Sequence, residues 1–177
     1  MNDLVAEQSL VDVLVSDLTE KQWDTPLPDV EGWSIKDAIL HLAFFDYVAI
    51  KCLKGETEHL FAAVNDEGGL DQYFRMNRYI KMTSAETLSW WREQRTKMNT
   101  IFYDKNPKDR VPWAPGLPMA ARSLASARLM ETWGHSVDIY DALGIDPIVK
   151  ERITSTLFLS WQARPNAYRI NDLKMPD

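Results

Sequence analysis

The stretch SIKDAILHLAFFDYVAIKCL, residues 34–53, decides the fold. It opens with a start signal: Ser34 can accept a hydrogen bond from the Asp37 amide while the Asp37 carboxylate reaches back, a variant of the capping box. Beyond that signal Ile35, Ala38, Ile39, Leu42, Phe44, Phe45, Val48, Ala49 and Ile50 leave apolar side chains on nearly every side of a helix. A helix of that kind is buried by its neighbours rather than laid on a surface. The spacing therefore predicts a central helix running to about Leu53, with other helices around it.

Those neighbours can be read on either side. Upstream, Leu4, Val11, Leu14, Val15 and Leu18 recur at helical spacing, and the pattern fades before WDTPLPDVEGW at 23–33, whose two prolines cannot continue a helix. Downstream, residues 54–83 read as a long polar connection with a short helix around Asp71–Tyr79. A third helix begins near Thr83, with Glu86 as its capping partner and Leu88, Trp91, Met98, Ile101 and Phe102 as its inner stripe. VPWAPGLPM at 111–119 reads as a proline-punctuated loop. The fourth helix spans about Ala120–Leu143, with Gly144 in the stop position and Pro147 beyond. A shorter helical piece, about Ile148–Gln162, precedes an irregular tail. No strand signal is strong, because alternation is absent and there is no Asn-Gly turn. The expected class is all-α: a four-helix bundle with a longer crossover between helices 2 and 3 and a short C-terminal helix. Residues 1–147 form the bundle; 148–177 form a C-terminal helical extension and tail, or the start of a further domain.

Composition narrows the function. With 45% hydrophobic and 26% charged residues the chain can build a core, and its net charge of -6 disfavours nucleic acid and anionic membrane surfaces. The basic run KNPKDR at 105–110 reads as a solvated loop. A single cysteine, Cys52, excludes an internal disulfide and agrees with a reducing compartment. The N-terminus is acidic where an export signal needs a basic start, and the most apolar window, residues 38–50, is too short to span a bilayer. The expectation is a cytoplasmic protein, monomer or homodimer, with small molecules as its partners.

Chemistry enters with ETWGHSVDIYDALG at 131–144. On an ideal helix Glu131, His135 and Asp138 fall within about 60° of one another, among small apolar residues that mark close approach of another helix. Burying an unpaired carboxylate is costly. One reading gives Glu131 a salt bridge to Arg128 and makes His135 a hydrogen-bonded core residue. The other joins them to His41, the one imidazole in the middle of the apolar second helix. If the second and fourth helices are neighbours, His41, Glu131 and His135 can surround a divalent cation, two nitrogens and one oxygen being a normal zinc set. Asp138 would then orient a histidine, serve as a fourth ligand, or stand near the bundle's end as a polar residue. Asp46 falls off the His41 face, and Cys52 lies about 16 Å along the axis from it, out of reach of the same ion. His59 reads as a surface residue. The tryptophans, Trp33 and Trp161 among them, read mostly as core.

At these residues a family resemblance appears. WDTPLPDVEGWSIKDAILHLAFFD, 23–46, resembles the second-helix region of the DinB-like superfamily. ARLMETWGHSVDIYDALG, 127–144, is similar to the branch that contains mycothiol-dependent maleylpyruvate isomerase. The resemblance implies a four-helix bundle that holds a divalent metal, zinc or nickel, through His41, Glu131 and His135. It also implies a low-molecular-weight thiol such as mycothiol as cosubstrate and an electrophilic second substrate, in an isomerase or S-transferase reaction. Longer relatives carry a further C-terminal domain. A metal-dependent hydrolase and a non-catalytic metal- or ligand-binding bundle are the alternatives.

Overall fold

A computed structural model describes residues 1–69, 81–114 and 117–176 of the chain. In chain order its helices are α1 Asn2–Ser16, α2 Glu20–Trp23, α3 Ile35–Lys54, α4 Glu58–Asp66, α5 Ser84–Asp104, α6 Ala121–Leu143 and α7 Thr154–Ile170. A hairpin of β1 Arg110–Ala114 and β2 Leu117–Ala120 precedes α6, and a 3-10 turn, Glu151–Ile153, precedes α7. The helix expected around Asp71–Tyr79 lies outside the described residues.

The capping box at Ser34 forms: the Asp37 amide donates to Ser34 Oγ at 3.4 Å and the Ser34 amide donates to Asp37 Oδ2 at 2.8 Å. At the other end Gly55 closes α3 in the left-handed region, φ 74°, which a side chain would strain. Between the caps Ile35, Ala38, Ile39, Leu42, Phe44 and Val48 are all 0% exposed, so α3 is the central helix its composition demands. Each large side chain sealed this way contributes about 1.5–3 kcal/mol. α3 packs on both α5 and α6, and α1 packs on α6. Long polar side chains tie α1 to α5: Asp12 accepts from Arg92 and Arg95, and Asn99 donates to Gln8 at 2.7 Å. Burial works to raise the Asp12 carboxyl, but Arg92, Ser16 and Arg95 outweigh it and hold it down at about 2. The four long helices thus form the expected all-α bundle.

Three elements depart from the sequence expectation. Part of the polar connection is helical: α4 turns Leu60 and Val64, one helical turn apart, into the core. The stretch 111–119, expected as a loop, carries an antiparallel hairpin in which Val111 pairs with Met119 and Pro112 with Pro118. Prolines donate no ladder hydrogen bond, so the pairing is short and irregular; Val111, 1% exposed, anchors it to the core. The C-terminal helix starts at Thr154 and runs past Gln162 to Ile170, carrying Pro165 within it. The Arg164 guanidinium lies 5.5 Å from the Trp161 ring and 5.6 Å from the Tyr168 ring, bracing the helix across the proline. Trp161 is therefore not core but 66% exposed. α7 packs against α6, and the preceding turn is fastened to α1 where Arg152 donates to the buried Glu7 at 2.6 Å. Among the described residues no helix is long and apolar enough to cross a membrane.

Candidate metal centre

The contact between α3 and α6 brings together side chains 90 positions apart in sequence. His41 Nε2 donates to Glu131 Oε2 at 3.1 Å, and His135 Nε2 stands 3.8 Å from the same oxygen. The two imidazole rings are 4.8 Å apart between centroids, nearly edge to face. One donor atom from each of His41, Glu131 and His135 lies within 4.8 Å of the others, so the trio could hold a metal ion. Ligands at about 2.0–2.2 Å around a tetrahedral ion stand about 3.4 Å from each other, so small side-chain shifts suffice to seat one. The donors are shielded without being sealed: side-chain exposure is 16% for His41, 17% for His135 and 34% for Glu131. Glu131 and His135 are half-buried rather than interior, and both line a surface depression.

Protonation suits the arrangement. Burial pushes the His41 imidazole below its ordinary value, with the charges of His135 and Arg128 adding and Glu131 opposing, so its neutral form prevails near neutral pH. The hydrogen bond from His41 holds the Glu131 carboxyl below the usual range, and nearby Arg128 helps against the opposing burial. His135 Nδ1 lies 3.0 Å from Asp138 Oδ2. A carboxylate accepts only, so Nδ1 carries the hydrogen donated to Asp138 and Nε2 is the ring atom that faces Glu131. Asp138 is placed as the partner that orients His135.

Two features of the surroundings were not read from the sequence. Trp33, just ahead of α3, stacks on His135 at 5.7 Å and tilts against His41 at 5.1 Å, and Phe45 closes on His41 at 4.5 Å. Trp33 is a wall of the site rather than an interior residue. Below the site Arg128 Nε donates to Asp46 Oδ1 at 2.9 Å, both side chains 1% exposed, while Arg128 Nη2 donates to the Leu42 carbonyl at 3.2 Å. The Glu131–Arg128 salt bridge considered from sequence does not form; Arg128 reaches across to α3 instead. A signal existed, since Asp46 in the middle of a helix that is apolar on nearly every side needs a buried partner. Burial pushes the Asp46 carboxyl up and Arg128 opposes it. Cys52 is buried, its thiol pushed up to about 12, and His59 is exposed.

Comparison with known proteins adds the lineage. The family model for the mycothiol maleylpyruvate isomerase N-terminal domain matches residues 4–140. The chain is 34% identical over 178 residues to an uncharacterized protein of Mycobacterium tuberculosis strain CDC 1551 / Oshkosh, covering 98% of this chain and 68% of the relative. The same figures hold for an uncharacterized protein of strain ATCC 25618 / H37Rv. No solved structure matches the chain.

Proposed function

Given that the chain belongs to the mycothiol maleylpyruvate isomerase N-terminal domain family, we propose that it binds one divalent cation, zinc before nickel, through His41, Glu131 and His135. With that cation it would act on a low-molecular-weight thiol such as mycothiol, as an S-transferase or isomerase. The observation that carries this reading is the convergence of two imidazoles and a carboxylate, one donor atom of each within 4.8 Å of the others, with Glu131 and His135 lining a depression open to solvent. Two nitrogens and one oxygen suit zinc, and three protein ligands leave a position for an incoming group. When bound, the ion would supply a Lewis acid that favours the thiolate of an arriving thiol over the thiol.

The chain's own residues would do the rest. Glu131 contributes the one negative charge among the donors, which leaves the centre cationic and receptive to a thiolate. Neutral His41 would have to carry its one hydrogen on Nδ1 for Nε2 to face a cation, so binding would break the hydrogen bond to Glu131 and move that hydrogen across the ring. Asp138 fixes the ring of His135, and Trp33 and Phe45 keep water from the faces of both imidazoles. Cys52 cannot be the nucleophile: it is buried and its thiol is pushed far above neutral pH, so the sulfur must arrive on a cosubstrate. The test is consumption of mycothiol by zinc-loaded protein in the presence of an electrophile with an activated double bond. Turnover or isomerisation that disappears in His41→Ala and Glu131→Ala is expected. Rates equal to those of the variants would contradict the proposal.

A further inference from the structure

α6 carries a glycine in its interior, Gly134, one residue before His135. The fold gives it no reason to be there. Its φ is not in the left-handed region, unlike Gly55 and Gly144, and a Cβ added to it would meet nothing within 4 Å. Alanine would fit, and alanine stabilises a helix interior where glycine weakens it. The bundle tolerates a less stable residue at a position where packing asks for none.

What Gly134 does have is its place. With Met130, Glu131, His135 and Asp138 it lines a surface depression of about 260 Å³ beside the donor trio. A Cβ at Gly134 would enter open space on the side of α6 where Glu131 and His135 line the same depression. Close approach of a ligand to the backbone is one use of a glycine where no conformation demands it.

We infer that Gly134 is a specificity-determining position: the bulk of the cosubstrate thiol lies across the α6 backbone there while its sulfur reaches the centre formed by His41, Glu131 and His135. This rests on the metal–thiol reading above. A thiol with a large body, such as mycothiol, needs the space at Gly134; a two-carbon thiol such as 2-mercaptoethanol does not. Size discrimination at a pocket wall commonly reaches tenfold or more for a group that no longer fits.

The experiment compares the full chain, zinc-loaded, with its Gly134→Ala and Gly134→Val variants, measuring bound zinc, thermal midpoint and calorimetric titration with mycothiol and with 2-mercaptoethanol. Equal zinc content is expected in all three, and a midpoint raised by about 1–4 °C in Gly134→Ala. Mycothiol binding should weaken by about tenfold or more in Gly134→Val, with 2-mercaptoethanol unchanged. Wild-type affinity of Gly134→Val for mycothiol overturns the inference and leaves the metal–thiol reading standing. Equal weakening of both thiols also overturns it, since the glycine would then serve the metal centre itself. Failure of the zinc-loaded wild type to bind either thiol removes the thiol reading and this inference together.

Discussion

Replacing Arg128 with methionine tests how the centre is held. The guanidinium is 1% exposed, donates to Asp46 at 2.9 Å and to the Leu42 carbonyl at 3.2 Å, and so ties α6 to α3 next to His41 and Glu131. Taking away one partner of a buried pair strands the other, at a cost of about 3–5 kcal/mol. For a domain of this size that corresponds to a fall of about 6–20 °C in thermal midpoint. The pH dependence is equally specific. Burial already raises the Asp46 carboxyl, with Arg128 as the main opposing influence. Without Arg128 the folded state takes up a proton that the unfolded chain releases above its ordinary carboxylate value. The folded state then binds more protons than the unfolded one, so the variant loses stability as pH rises from 5 to 8. The assay is thermal denaturation at both pH values, together with zinc affinity. Zinc binding should weaken as well, because the tie that holds α6 against α3 beside His41 and Glu131 is lost. Pairing Arg128→Met with Asp46→Leu should restore most of the stability, because no charge is left stranded. A loss under about 1 kcal/mol at pH 8, or an equal loss at pH 5 and pH 8, would refute the role given to Arg128.

Asp138→Ala should lower zinc affinity by about 10–100-fold, read by competition with a chromogenic chelator, because His135 loses the acceptor that orients it; unchanged affinity would show that Asp138 does not position His135. The metal-free protein should lose stability as pH falls from the ordinary histidine value of 6.5 through the lowered value of His41, since the unfolded chain then binds the extra proton. That slope should flatten in His41→Gln, and an unchanged slope would assign it elsewhere. Cys52, buried with its thiol pushed up to about 12, should react with a thiol reagent at neutral pH only as fast as the protein unfolds, and Cys52→Ser should leave zinc content alone.

How much of this could be read from the chain alone depended on the range of the interactions. α3 was legible because its cap and its apolar surface are both local, set by Ser34, Asp37 and the residues just beyond. Glu131 and His135 share a face because they are one helical turn apart, and His41 stood out as the imidazole in the apolar helix; the structure brings all three together. Long-range pairing was not legible. Arg128 looks like a partner for Glu131 on its own helix, yet its partner Asp46 is 82 positions away, chosen by which helix α6 packs on. α4 was hidden by the charged and polar residues on either side of its short apolar run Leu60–Val64, of which Leu60 and Val64 are buried and Phe61 packs against the core. The hairpin was hidden by Pro112 and Pro118, which sit opposite each other and break the pattern that strands normally display. Trp33 reads as core by type, and only the folded chain places it against two imidazoles.

The most direct measurement is X-ray absorption at the zinc edge of the untagged protein and of its His135→Ala variant, with zinc content and far-UV circular dichroism recorded on both. One zinc per chain is expected in the wild type, with nitrogen and oxygen neighbours at about 2.0–2.2 Å including two imidazoles, and most of it gone from a variant that stays helical. A wild type that takes up no zinc or nickel, or a variant that keeps its metal with the same neighbours, would contradict the assignment of His41, Glu131 and His135.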